Sequence, residues 1–503
     1  MKKDILEYLE HSAECFPDKP AFEDEEKSCT FKELVEAGRV IGTELAGKIT
    51  MNQPVPVLME KSVDTIKLLM GIVYAGGFYV VMDATHPVGR LNSILETLDT
   101  DILIYEEKNE ALANELAFTG RRYARGEFGK GEADAALLAD VRFRLKDTDP
   151  LYGNFTSGST GVPKGVVVSH RSVIDFIDCF TDIFDITDQD VIGNQAPWDF
   201  DVSVKDIYSG LKTGATVQVI PKAKFSIPTA LLDFLDERKV TTLTWAVSAL
   251  CIITTLRGFE YKIPTSIKKV LFSGEVMPMK HLNQWRQYLP DVTYVNLYGP
   301  TEITCNCTYY VVDREFDLDE KLPIGKAFPN ETVFLLDEEN HLITEEDKIG
   351  EICVSGTALA LGYYNNWEQT NKAFVQNPLN TRYREPIYRT GDLAYYDKDR
   401  NLCFASRKDF QIKHMGHRIE LGEVELAMNR VPEIIRCLCM YDEKKSKIVA
   451  FYQGDINKRD LFRALTAFLP EYMIPNAYRQ VEEMPLNKNG KIDRAELKKL
   501  YFK

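Results

Sequence analysis

Long apolar runs are missing from this chain of 503 residues. None reaches the ~18 residues that a membrane-crossing helix needs, so no membrane span is expected. The N-terminus, MKKDILEYLEHSAECFPDK, has two lysines but no apolar segment behind them, and acidic residues interrupt it at once. It does not read as an export signal. Cysteine is sparse and dispersed. The ten cysteines include the C-x-C pairs Cys305/Cys307 and Cys437/Cys439, without the spacing and second pair that argue for zinc and without the density of a disulfide framework. They read as small buried hydrophobes, and a cytoplasmic protein is expected. Positive charge is also short. The 61 Lys+Arg against 76 Asp+Glu leave −15, which speaks against a nucleic-acid binder. No internal repeat or low-complexity segment marks a solenoid.

What is present is an ordinary globular composition, 45% hydrophobic and 27% charged, long enough at ~150 residues per domain for several structural units. Helical and strand-like segments alternate from Met1 to about Ala394, which predicts an α/β fold of helix-covered sheets. Ile66 to Pro87 reads as a buried helix, a Gly76-Gly77 turn and a strand. ATVQVIP and KKVLFSG read as short buried strands, the second ending at Gly274. Further on, NLCFAS and FQIKH look like two hairpin strands flanking the polar segment Ser406-Arg407-Lys408-Asp409, and a helix begins around Glu420. The predicted organisation is a large unit over 1–408 and a small α+β unit over 409–503. From Phe410 onward, 17 Lys+Arg against 13 Asp+Glu give +4, leaving −19 for the rest. A basic tail on an acidic body invites an acidic partner.

One loop stands out, FTSGSTGVPKG from Phe155 to Gly165. Small residues let backbone N–H groups approach an anion, and a lysine adds mobile positive charge. The P-loop pattern is not met, since Lys164 follows Pro163 and Gly165 stands where a magnesium-binding hydroxyl is needed. A flexible surface turn is the plain alternative for the loop alone.

Taken with eight further motifs in order, the loop resembles the phosphate loop of the adenylate-forming enzyme superfamily, in its amino-acid-activating branch. The others are FKEL (Phe31 to Leu34), FDVS (Phe200 to Ser203), NLYGPTE (Asn296 to Glu302), GEICVSG (Gly350 to Gly356), YRTGDL (Tyr388 to Leu393), SRKDFQIKHMGHRIELGEVE, LPEYMIP (Leu469 to Pro475) and NKNGKIDR (Asn487 to Arg494). That branch includes nonribosomal peptide synthetase adenylation domains and D-alanine–carrier protein ligases. The resemblance implies a large N-terminal domain of stacked sheets and a small mobile C-terminal domain, with ATP and Mg²⁺ as cofactors.

It also implies roles. Thr156, Ser157, Gly158, Ser159 and Thr160 would cradle the leaving β/γ-phosphates, with Lys164 as an accessory cation. Asn296 would bond the adenine edge, Tyr298 would stack on it, and Thr301 would sit by the α-phosphate. Glu302 would hold Mg²⁺. Asp392 would accept from the ribose hydroxyls, assisted by Arg407. Lys491 would bridge the substrate carboxylate and the α-phosphate in the adenylation transition state. Asp409 would be the hinge, and Gly416 would line the tunnel for a phosphopantetheine arm.

The branch is set by Asp201, matching a carboxylate that pairs with the substrate α-ammonium and is absent from acyl-CoA ligases and luciferase-like oxygenases. The side-chain pocket carries over as Asp201, Val202, Lys205, Thr244, Leu271, Ser273, Gly274, Leu297, Cys305 and Asn306. Lys205 leaves two readings open. Pointing inward, it favours an acidic or hydrogen-bonding side chain; snorkelling outward, it leaves a small pocket for alanine or serine. NQAPWDFDVSVKDIY and LFSGEVMP look more like D-alanine ligases, whereas Ser273 and Lys205 depart from them. No G-G-x-S carrier motif and no H-H-x-x-x-D-G condensation motif occurs, so a free-standing ligase is expected, handing a free amino acid to a separate, acidic phosphopantetheinyl carrier protein.

Overall fold

A computed structural model describes residues 2–158, 162–486 and 492–501. Ser159, Thr160 and Lys491, all expected at the site, lie outside the described residues.

Two sheets carry the large unit. In the first, the strands Thr293–Tyr298, Lys269–Ser273, Thr242–Ala246, Val191–Asn194, Thr216–Val219 and Pro20–Glu23 run parallel, with antiparallel strands at both edges. In the second, Pro150–Thr156, Phe78–Val81, Pro54–Leu58, Ile102–Tyr105 and Arg121–Ala124 are parallel, and Lys164–Ser169 closes back on Pro150–Thr156 as an antiparallel hairpin. Strands buried on both faces read as continuous apolar runs, as PVPVL and FYVV do here. The helices Phe31–Ala46, Val63–Tyr74, His170–Ile183 and Ser203–Thr213 join strands of both sheets in one continuous core.

Local signals explain several boundaries. Thr30 and Glu33 form a reciprocal capping box at the start of Phe31–Ala46, so part of FKEL is a helix start. The helix Val63–Tyr74 ends before Gly76, whose φ of +79° and a would-be Cβ only 2.5 Å from the Met51 sulfur leave room for glycine alone. The helix, turn and strand expected over Ile66 to Pro87 form as read.

A third sheet, of six strands and antiparallel throughout, is built from strands between Glu331 and Arg407 in place of further α/β alternation. The expected pairing of NLCFAS with FQIKH does not occur. Leu402–Arg407 pairs with Pro386–Tyr396 in this sheet, whereas Gln411–His414 pairs with His417–Glu420 in a separate two-stranded hairpin. Both segments form strands, but strand character does not name a partner, and the tight Met415-Gly416 turn, with φ of +52° and +83°, supplies the nearer one for Gln411–His414. After the hairpin come the helix Leu421–Met428 and a three-stranded sheet with its own apolar core, including Val424, Met428, Ala450, Leu461 and Leu465. Among the described residues, no helix is long and apolar enough to cross a membrane.

Candidate active site

The parallel strands of the first sheet end at Ala246, Ser273 and Tyr298, and a cavity lies beyond those carboxyl ends, where open α/β sheets bind ligands. It is lined by Asp201, Val202, Ser273, Gly274, Thr301, Cys305, Asn306, Asp392, Arg407 and Gly416, all expected from sequence. A larger cavity of about 390 Å³ opens beside Lys164, Tyr363 and Asn365. None of the expected substrate residues lines it, and the site described here is the smaller one.

After Tyr298 the chain folds back on itself. Cys307 N–H donates to the Tyr298 carbonyl at 2.8 Å, and a Cβ on Gly299 would meet the Asn306 Cα at 2.5 Å, so the return needs glycine. Thr304 and Cys305 both take positive φ, 52° and 79°, uncommon for non-glycine residues and characteristic of functional loops. This turn delivers Thr301, Glu302, Cys305 and Asn306 to one place.

Asp201 sits just ahead of the helix Ser203–Thr213 and is buried. Burial raises its carboxyl above the ordinary value, while the Thr301 hydroxyl and the Lys205 ammonium draw it back. Lys205, one turn on, is completely buried and points inward, its Nζ 2.9 Å from Asn306 Oδ1 and 3.3 Å from Ser273 Oγ. This settles the open orientation of Lys205. Leu271 and Leu297 are apolar core residues, and the Cys305 thiol is pushed up by burial to about 12. Thr244 is buried with its hydroxyl donating to Asp206, so it is committed away from the cavity.

Asp392 lies on the strand Pro386–Tyr396. Its Oδ2 accepts from the Tyr298 hydroxyl at 2.5 Å and its Oδ1 accepts from Arg407. The same guanidinium forks onto Asp409, with Nε 2.6 Å and Nη2 2.8 Å from the two carboxylate oxygens. Arg407 thus joins the expected ribose acceptor to the expected hinge. Asn296 donates to the Pro323 carbonyl at 2.8 Å.

The hairpin Gln411–Glu420 enters the site, and its side chains were not singled out from sequence. Lys413 Nζ lies 5.3 Å from the centre of the Tyr298 ring. Gly416 N–H donates to Glu275 at 2.7 Å; a Cβ on Gly416 would come 3.1 Å from the Ala246 Cβ, and one on Gly274 would stand 3.8 Å from Gly416. Arg418 Nη1 is 2.6 Å from Glu302 Oε2, and the Tyr363 hydroxyl donates to Oε1 at 2.7 Å. Burial alone would raise Glu302, but Arg418, Lys164 and the Tyr363 hydroxyl outweigh it and hold the carboxyl at about 2. A fully buried carboxylate that is ionised at neutral pH suits a hard divalent cation that takes its other ligands from phosphate and water. Glu302 therefore fits Mg²⁺, with Arg418 supplying the positive charge in the present arrangement.

The expected phosphate loop is tied to the same small unit. Ser157 Oγ donates to the Arg418 carbonyl at 2.8 Å, and Gly158 N–H donates to Glu423 at 3.1 Å. Glu423 also pairs with Arg90 at 2.7 Å, both side chains buried. Lys164 packs over Tyr363 and stands 3.8 Å from Glu420. The Thr156 hydroxyl is buried without a partner among the described residues. The loop's polar groups exist as expected, but here several face protein. Lys413, Arg418 and Glu423 were all inside a quoted motif, and the mixture of charge with apolar residues in SRKDFQIKHMGHRIELGEVE was the available signal.

Residues 9–364 match the family model described as AMP-binding enzyme. The chain belongs to the AMP-binding enzyme family. Among curated relatives of this AMP-binding enzyme, zwittermicin A synthase ZmaJ of Bacillus cereus is 33% identical over 95% of this chain and 91% of its own length. Tyrocidine synthase 1 of Brevibacillus parabrevis is 31% identical over 98% of this chain, which spans only 45% of that protein. Among solved structures, holo-PA1221, an NRPS protein containing adenylation and PCP domains, superposes with a TM-score of 0.84 at 26% identity, covering 99% of this chain and 84% of that one. The Vibrio cholerae adenylation domain AlmE shares the fold at a TM-score of 0.86 and 22% identity, covering 100% of this chain and 98% of that one.

Proposed function

We propose that this AMP-binding enzyme activates a free amino acid with ATP and passes it to the phosphopantetheine thiol of a separate carrier protein. One observation carries the reading: a single cavity at the strand ends is lined by Asp201, Thr301, Asp392 and Arg407. Their shared lining supports reading Asp201 as the amine-pairing carboxylate beside a nucleotide-binding set. At ~4 Å and an effective dielectric near ~20, an ammonium–Asp201 pair is worth ~4 kcal/mol before desolvation.

In the first half-reaction, an oxygen of the substrate α-carboxylate attacks the α-phosphorus and the bond to pyrophosphate breaks. Asp201 orients the ammonium, Asp392 and Arg407 hold the ribose, Tyr298 and Asn296 hold the base, and Thr301 donates at the α-phosphate. Ser157, Gly158 and Lys164 serve the departing phosphates, together with Ser159 and Thr160. Glu302 would hold Mg²⁺, whose chemistry is to neutralise charge on the phosphates. Lys491 supplies the cation between carboxylate and α-phosphate.

In the second half-reaction the thiol attacks the acyl carbonyl and AMP leaves. The close approach of Gly416 to Gly274 and Ala246 supports placing the thiol's entry there. The docked hairpin, with Arg418 on Glu302, supports assigning the described arrangement to this step, and a division at Asp409 lets the 409–503 unit swing Lys491 in for the first. A cytoplasmic site for the reaction follows from its need for ATP. A D-alanine–carrier protein ligase is the second reading; it draws on the resemblance of NQAPWDFDVSVKDIY, but the inward Lys205 disfavours it.

The test is mass analysis of purified holo carrier proteins incubated with the enzyme, ATP and amino acids. A mass gain of one aminoacyl group, falling as salt screens the +4 tail from an acidic carrier, is the expected result. Efficient acylation of coenzyme A instead, with no carrier loaded, sinks the proposal.

A further inference from the structure

We infer that the side-chain pocket selects an amino acid ending in a second carboxylate, of the aspartate or glutamate class; this rests on the amino-acid activation proposed above. Lys205 carries the inference. Its side chain is completely enclosed, and its hydrogen-bond partners among the described residues, Asn306 Oδ1, Ser273 Oγ and the Cys305 thiol, are all neutral. No ion pair joins Lys205 to a carboxylate among the described residues.

Asp206 and Asp201 attract Lys205 through the core, but neither forms an ion pair with it among the described residues. Asp206 instead accepts from Asn194 Nδ2 at 2.7 Å and from the Thr244 hydroxyl. Asp201 is bonded by the Thr301 hydroxyl and faces the cavity for the ammonium. Val202 and Cys305 in the cavity wall, and Leu271 and Leu297 in the core, carry no charge.

Buried charges are expensive unless paired, and a lysine used only as a spacer between Asn306 and Ser273 incurs that cost with no return. A substrate carboxylate seated between Lys205, Ser273 and Asn306 supplies the missing anion and takes hydrogen bonds from the Ser273 hydroxyl and the Asn306 amide. The pocket then presents Asp201 to the ammonium and Lys205 to the side chain. A pocket built around a polar partner rejects the analogue lacking it far better than an apolar pocket rejects an extra methylene.

The experiment is pyrophosphate exchange by the full chain with the isosteric pairs aspartate/asparagine and glutamate/glutamine, plus serine and alanine, each as both enantiomers. One acid is expected to exceed its amide in kcat/KM by about 10²-fold. Lys205→Met, close in shape, is expected to bring that ratio to within about threefold. A purely structural lysine would instead lower every substrate equally and leave the ratio intact, which overturns the inference. If the variant does not fold, the wild-type ratio still decides. Preference for an amide, serine or alanine overturns the acidic pocket and leaves amino-acid activation standing. Exchange with acids lacking an amine, and with no amino acid, overturns both.

Discussion

Arg418 grips Glu302 across the boundary between the small unit and the large one, Nη1 to Oε2 at 2.6 Å, with the carboxylate fully buried. The carboxylate proposed to hold Mg²⁺ is thus covered in this arrangement by a cation from the docked hairpin. Ser157 and Gly158 of the phosphate loop are held by the same unit. The arrangement that places Gly416 against Gly274 is therefore one in which the loop and Glu302 are turned toward protein rather than pyrophosphate.

Removing Arg418 strips the buried carboxylate of its ion-pair partner only in the docked arrangement. Breaking such a pair costs about 3 kcal/mol, roughly 10²-fold in population. Arg418→Met is expected to cut thioester formation by at least about tenfold while changing amino-acid-dependent pyrophosphate exchange by less than about threefold. Lys491→Ala should show the reverse, with exchange abolished and transfer from preformed adenylate largely kept. Separate assays of the two half-reactions read both; parallel losses in both variants would contradict the division of labour.

Gly416 tolerates no side chain where it sits. Its φ is +83° and a Cβ would press on Ala246 at 3.1 Å. Gly416→Leu is expected to lower thiol transfer by about 10²-fold, since small displacements at a reacting centre cost that much, with exchange nearly unchanged. Loss of exchange to the same degree would show that the hairpin serves activation as well.

Glu302 also sets a pH dependence. Its carboxyl is held at about 2, below the usual 4.5, so the folded state binds the proton more weakly than the unfolded chain. The stabilisation from this depressed value is fully present above pH 4.5 and is lost as pH falls toward 2. In denaturant unfolding, the stability gap between wild type and Glu302→Gln is expected to shrink over that window. A gap independent of pH would mean that the ion pair is not its source.

The parallel strands and their connecting helices were legible because strands buried on both faces read as apolar runs with glycine at their ends, as at Gly76 and Gly274. The cavity was legible in its one-residue parts: Asp201, Thr301, Asp392 and Arg407 were each expected and share one lining. The partner of FQIKH was not, because period-2 alternation fixes a strand's faces but not its neighbour. Nor was the inward turn of Lys205, since a lysine on a helix is ordinarily solvated and only the enclosure by Ser273, Cys305 and Asn306, distant in sequence, decides otherwise. Arg418 and Glu423 were hidden for a related reason: their partners, Glu302, Arg90 and Gly158, lie far away along the chain.

The most direct test compares pyrophosphate exchange for an amino acid and for the same acid without its amine, such as aspartate and succinate, in wild type and Asp201→Ala. The expected result is exchange with the amino acid alone, lost in the variant by about 10²-fold or more. Equal exchange with both acids, or a variant as active as wild type, would contradict activation of an amino acid at Asp201.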